Sequence, residues 1–314
     1  MRESDPHRWT HPATILVATD LSDLDHLMPF ALEQAVETGA RLILLHVLSA
    51  SASITADAAG MPYYDTGGAL EISEQMMRPW CDLAFKRGIR CDAVAREGHA
   101  TQQIVAATRQ FHADRVLLGT RSRGKISKLL IGSVAEQVLR SVNLPVITVG
   151  PEAHLLADKG AERVVLHATT LRETSRPSAA LACQIAASQK ARLVLLHVLP
   201  PIPDMEHKGL PTGIDSAAMQ DLRLLAAKTA VDCCTAVEAL IAHGNPAIEI
   251  LATAQERHAG LIVLGATPRS AFENLTRDRT VYRVLAHARC PVLTLREPQA
   301  MPEQARVELA AAHQ

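Results

Sequence analysis

Aromatic side chains are scarce in this 314-residue chain: two Trp, three Tyr and four Phe, 3% in all. Platforms that stack single-stranded nucleic acid are built from such rings, so the composition argues against one. There is also no excess of either charge: 32 basic residues stand against 33 acidic ones, for a formal net charge of -1. No whole-chain field therefore draws the protein to nucleic acid or to an anionic membrane. No apolar run approaches the length of a bilayer span. The opening MRESDPHRWTHP has no apolar stretch behind its charges and does not read as a secretory signal. Six cysteines stand at 81, 91, 183, 233, 234 and 290 without a C-x-x-C pair, and a chain of this size needs no disulfide staples. Cytoplasmic residence with reduced thiols is the expectation. The fourteen histidines show no H-E-x-x-H or paired spacing, so no metal site is expected. What is present, 48% hydrophobic and 21% charged residues, suits a globular protein with two cores.

The chain repeats itself. TILVATDLS near residue 15 is matched by RVVLHATTL near 165, and ARLILLHVL (40–48) by ARLVLLHVLP (191–200). Further on, REGHATQQIVAAT is matched by AHGNPAIEILATA, DRVLLGT by GLIVLGA, and NLPVITV by RCPVLTL. The last three pairs share one offset, seen in Gly98 and Gly244, Gly119 and Gly265, Pro145 and Pro291. Five ordered matches establish a duplication.

Each copy alternates short β-branched runs with stretches of helical period. Runs at 14–19, 41–47, 92–96, 115–118 and 145–149 have the length and composition of buried parallel strands. Helices are predicted over 24–38, 69–88, 100–112 and 133–141. In the first, Leu24, Leu27, Met28, Ala31, Ala35 and Val36 form the apolar face, while Asp25, Glu33 and Glu37 point away; in the last, Val134, Val138 and Leu139 share one side. The pattern predicts an α/β fold of two tandem Rossmann-like domains, each a five-stranded parallel sheet flanked by helices. The expected divisions are 1–150, 160–297 and a tail at 298–314 with a short Ala-rich helix. Residues 49–68 read as a long loop or lid, with 199–213 in the same place in the second copy. His46 and His197 read as core or strand-end histidines, and Cys233-Cys234 as a helix end or strand entry.

Ligands on such sheets bind beyond the carboxyl ends of the strands, where strand order reverses. Three features converge there in the first copy. Asp20 ends the first strand and offers a carboxylate to a base or ribose, though Asp is also common in turns and helix caps. Leu118-Gly119-Thr120-Arg121-Ser122-Arg123-Gly124-Lys125 ends the fourth strand with small residues and cations, as a phosphate loop or as an ordinary solvated one. Gly132-Ser133 opens a helix whose amides and dipole favour an anion; Ser133 with Glu136 also has the spacing of a capping box.

On these residues the chain resembles the universal stress proteins in their tandem two-domain form, with an adenine nucleotide alpha hydrolase-like fold, over about 12–297. ATP-binding members carry a glycine, two residues, a glycine, nine residues, then glycine and serine or threonine. Gly119, Gly132 and Ser133 keep that spacing, and Ser122 stands at the middle glycine. The resemblance implies ATP, with or without Mg2+, held by Ala18, Asp20, Val47, Leu118, Gly119, Ser122, Arg123, Gly132, Ser133 and Val134. It implies adenine beside Asp20 and the Val47 backbone, and terminal phosphates at Ser133 and the Val134 amide. In the second copy Thr170 replaces Asp20, Pro268 the middle glycine, and Asp278-Arg279 the Gly-Ser pair. Proline offers no N–H and a carboxylate repels phosphate, so ATP is expected in the first copy only. The resemblance also implies pairing of fifth strands, here 145–149 against 291–295 within one chain, as an intramolecular pseudo-dimer. Whether two chains pair further stays open.

The motifs of other classes are missing: no G-x-G-x-x-G after the first strand, no G-x-x-x-x-G-K-[ST], no receiver-type acidic cluster and no G-x-S-x-G elbow. No dedicated enzyme is expected, at most a slow ATPase. Two functions remain: a nucleotide-regulated stress-response protein with an unknown protein partner, and an interaction module or scaffold that binds no nucleotide.

Overall fold

Strand β1 (Thr14–Thr19) is buried at every position, as a strand covered by helices on both faces must be. The computed structural model describes residues 6–49, 54–56, 62–64, 66–120, 131–155, 162–171, 176–201, 213–233, 235–266 and 279–296. After α1 (Pro6–Thr10), the first half runs β1, α2 (Leu24–Thr38), β2 (Arg41–Leu48), β3 (Ile54–Ala56), β4 (Pro62–Tyr64) and α3 (Thr66–Lys86). It continues through β5 (Cys91–Glu97), α4 (Ala100–Gln110), β6 (Arg115–Gly119), α5 (Ser133–Ser141) and β7 (Val146–Val149). The second half runs β8 (Val164–Ala168), α6 (Arg176–Ser188), β9 (Arg192–Leu199), α7 (Gly213–Cys233) and β10 (Val237–His243). It closes with α8 (Pro246–Glu256), β11 (Leu261–Ala266), α9 (Arg279–His287) and β12 (Val292–Arg296).

The strands join in one sheet of ten, ordered β10-β9-β8-β11-β12-β7-β6-β1-β2-β5. Within each half every pairing of this sheet is parallel; the halves meet through antiparallel β7 and β12, with Ile147 opposite Leu293 and Thr148 opposite Val292. All four residues belong to the expected fifth strands, 145–149 and 291–295, and all four are buried, so the edges that a separate half would expose are covered. Two apolar layers sandwich the sheet. One holds the odd positions of β1, such as Ile15 and Val17, with α2 and α6; the other holds Leu16 and Ala18 with α4, α5 and α8.

Several local expectations are corrected. Part of 49–68 is not loop: β3 and β4 pair antiparallel, and α3 starts at Thr66. Val36 is 60% exposed, one step beyond the buried stripe of α2. Glu33 and Glu37 lie off the apolar face, and the second half meets them there: Arg163 pairs with both, and Gln189 Nε2 donates to Glu37 Oε2 at 2.7 Å. Helical period identifies a polar face but not whether another domain lies on it. On α5 the buried side is Ala135, Val138 and Leu139, while Val134 is exposed. The tail at 298–314 lies outside the described residues, as does 156–161 of the segment joining the halves.

Candidate functional site

β1 and β6 are sheet neighbours whose onward connections leave in opposite directions, to β2 on one side and β7 on the other. Their carboxyl ends diverge into a crevice of about 160 Å3. Eight of the ten site residues expected from the sequence line it: Ala18 and Asp20 from the end of β1, Val47 from β2, Leu118 and Gly119 from β6, and Gly132, Ser133 and Val134 at the start of α5. The other two, Ser122 and Arg123, fall outside the described residues, together with Arg121, Lys125 and Lys128 of the same loop.

The turn after β1 is strongly determined. Leu21 adopts φ 71°, unusual for a branched side chain. Thr19 compensates: its Oγ1 accepts from the Leu21 amide at 2.9 Å and donates to Asp23 Oδ1 at 2.5 Å. Asp20 Oδ1 accepts from both the amide and the hydroxyl of Ser22, at 3.0 and 2.7 Å, closing an Asx turn while Asp20 stays exposed at the mouth. Asp20 is thus a turn residue that also faces the crevice, and the cap of α2 is Asp23 instead. Burial pushes the Asp23 carboxyl up to about 6, opposed by the Thr19 hydroxyl and reinforced by the charge of Asp20. His46 Nδ1 lies 2.9 Å from the Thr19 carbonyl. A carbonyl can only accept, so Nδ1 carries a proton in this contact.

At the opposite wall the cap geometry differs from the capping box expected. Gly132 is the N-cap, with φ -61° and ψ 142°, and Ser133 is the first helical residue. Glu136 turns to Arg140, 2.5 Å away, and to Tyr282 of the second half rather than back to the cap. The Gly132 amide is also not an open donor, because it bonds the Thr120 carbonyl at 2.7 Å. The donors that the helix start leaves without an intrahelical acceptor are those of Ser133, Val134 and Ala135. A side chain at 132 would bring its Cβ to 3.2 Å from the Thr120 carbonyl oxygen, so close backbone approach, not positive φ, is what favours glycine.

Thr120, within the stretch read as a phosphate loop, also lines the crevice, as do Thr19, Asp23 and His46, to which the sequence assigns no ligand role. His46 sits in an apolar run, where a core role is the ordinary expectation. Its signal was in the repeat: His197 Nδ1 makes the same 2.9 Å bond to the Thr169 carbonyl. The second half keeps the rest of that turn too, with Leu171 at φ 59° and its amide 3.1 Å from Thr169 Oγ1. Thr170 stands at the place of Asp20, and α9 starts at Arg279 as α5 starts at Ser133. Pro268 and Asp278 lie outside the described residues.

The model of the universal stress protein family matches the chain twice, over 13–150 and 161–296. A universal stress protein of Thermus aquaticus is 30% identical over 137 residues, 43% of this chain and 98% of its own length. One from Methanocaldococcus jannaschii is 25% identical over 136 residues, 43% of this chain and 80% of its own length. Among solved structures, a universal stress protein of Archaeoglobus fulgidus superposes with a TM-score of 0.69 at 20% identity, covering 91% of this chain and 97% of that one; this likeness shows the fold. With both halves matched and the sheet ordered alike in each, the chain belongs to the universal stress protein family and carries the family's domain twice in tandem.

Proposed function

We propose that the first half binds ATP in the crevice between β1 and β6, and that occupancy governs contacts with a protein partner in a cytoplasmic stress response. The observation that carries this reading is the convergence, in one crevice, of an exposed carboxylate at Asp20, the close backbone of Gly119 and Gly132, and the helix start at Ser133 and Val134. Adenine and ribose would lie toward Asp20 and Val47, and the phosphates against the Ser133 and Val134 amides, where the helix dipole favours negative charge. Mg2+ would be carried by the phosphates; among the described residues no three His, Cys, Asp or Glu side chains are grouped to hold a metal. The role is regulatory, with at most slow hydrolysis. Among the described residues no helix is long and apolar enough to cross a membrane.

Isothermal titration of the full chain with ATP and with ADP tests the proposal. Micromolar affinity is expected for the wild type, and Gly132→Asp, which copies position 278, should abolish the heat. Gly132→Ala is the necessary control, because any Cβ there crowds the Thr120 carbonyl at 3.2 Å. Binding kept by Ala and lost by Asp assigns the effect to charge. A wild type that gives no heat with either nucleotide would favour the interaction module.

A further inference from the structure

Cys81 on α3 and Cys91 at the start of β5 bring their sulfurs to 2.8 Å across the outermost strand of the first half. Both are partly exposed, so a small solute can reach them. The connection between them turns through Gly88 at φ 76°, which folds α3 back along β5. A second tie holds the same pair of elements: the Ala95 amide donates to Glu74 Oε1 at 3.3 Å. A disulfide bond is about 2.05 Å long, so closing the pair needs less than about 1 Å of movement. The packing does not demand sulfur here, because β10 begins with Val237 where β5 begins with Cys91.

We propose that Cys81 and Cys91 are a reversible dithiol–disulfide site, oxidised by hydroperoxides. The Cys81 thiolate attacks the peroxide oxygen, the O–O bond breaks, and Cys81 becomes a sulfenic acid as hydroxide or alkoxide leaves. The Cys91 sulfur then attacks the Cys81 sulfur. The S–S bond forms, the S–O bond breaks, and hydroxide departs with the Cys91 proton as water. Two thiols lose two electrons to one peroxide bond, and a dithiol reductant reverses the step. The division of labour follows from the contact: the hydrogen bond from Cys91 holds the Cys81 thiol below its ordinary range, and the same contact together with burial pushes Cys91 up. Two other cysteines are poor competitors. Cys183 is buried and donates to the Thr229 carbonyl, and burial pushes Cys290 up to about 12.

The test uses the full chain with Cys233→Ser and Cys234→Ser, so that those adjacent thiols do not exchange with the pair. After brief hydrogen peroxide treatment, alkylation of free thiols and trypsin cleavage, mass spectrometry should find the peptide Cys91–Arg96 joined to the one containing Cys81. Dithiothreitol added before alkylation should remove that cross-link. In a further Cys91→Ser variant, Cys81 should remain as a dimedone-reactive sulfenic acid. Recovery of Cys81 and Cys91 as separately alkylated peptides after peroxide would overturn the proposal. So would accumulation of Cys81 sulfinic acid as fast with Cys91 present as without it.

Discussion

Arg115→Ala should lower the unfolding free energy by about 3 kcal/mol in urea titrations, and Arg115→Leu by roughly 1 kcal/mol. Arg115 opens β6 and is only 2% exposed. Its Nη1 donates to Gln34 Oε1 at 2.5 Å and its Nη2 to the Trp9 carbonyl at 2.6 Å, so one guanidinium ties β6 to α2 and α1. Burial pulls its pKa down to about 10 while Glu37 and Asp114 act the other way, so the group remains charged at neutral pH. Alanine removes both charge-assisted bonds, each worth about 1.5–3 kcal/mol, and leaves a void; relief from burying a cation returns part of the loss. Leucine keeps most of the volume. It is also what the second half uses: Leu261 registers with Val165 of β8 as Arg115 registers with Ile15 of β1. An alanine variant as stable as the wild type would mean that burying the cation costs as much as its bonds contribute.

The second large effect is a pair of opposed pH dependences. His167 is fully buried in β8, its Nδ1 donates to the Val263 carbonyl at 3.0 Å, and burial lowers its pKa to about 4. An unfolded histidine titrates near 6.5, so the unfolded state takes up the proton first. The stability tied to His167 is therefore complete above pH 6.5 and is lost as pH falls toward 4, by about 3 kcal/mol. Asp23 works in reverse. Its carboxyl is raised from 3.8 to about 6, so its contribution is complete below 3.8 and is lost as pH rises through 6, again by about 3 kcal/mol. The two slopes largely offset in the wild type between pH 4 and 6. His167→Val, copying Val17 at the matching place in β1, should leave a protein that gains stability on mild acidification. Asp23→Asn should raise the melting temperature at pH 7 and steepen the loss of stability in acid. Thermal melts from pH 4 to 8 check both; parallel curves for the wild type and the two variants would remove the assignment. Retaining a carboxylate at a cost in stability beside a crevice fits a residue kept for the site rather than for the fold.

The residues that report on the site were legible to different degrees. Gly119, Gly132 and Ser133 could be found because their spacing along the chain is itself the signal. Asp23 and Thr19 could not, because an Asp four residues after a Thr is unremarkable until the turn between them buries both and raises Leu21 to positive φ. A helix opening at Gly132-Ser133 leads one to expect free amides for an anion, yet Thr120 takes that of Gly132; the bond depends on how closely β6 and α5 approach, which spacing alone does not specify.

The amino-acid order by itself determined the duplication, the alternation of strands and helices, and the strand ends at which a ligand could sit, because each rests on periodicity or on short backbone-dictated spacing. The tertiary structure decided what required distant segments to meet. It turned Glu33 and Glu37 toward Arg163, buried Arg115 and His167 in strands that read as apolar, and set Cys81 against Cys91. A side chain's dielectric surroundings and partners come from elements packed across the fold. Local pattern specifies which face a residue occupies but not what lies against it.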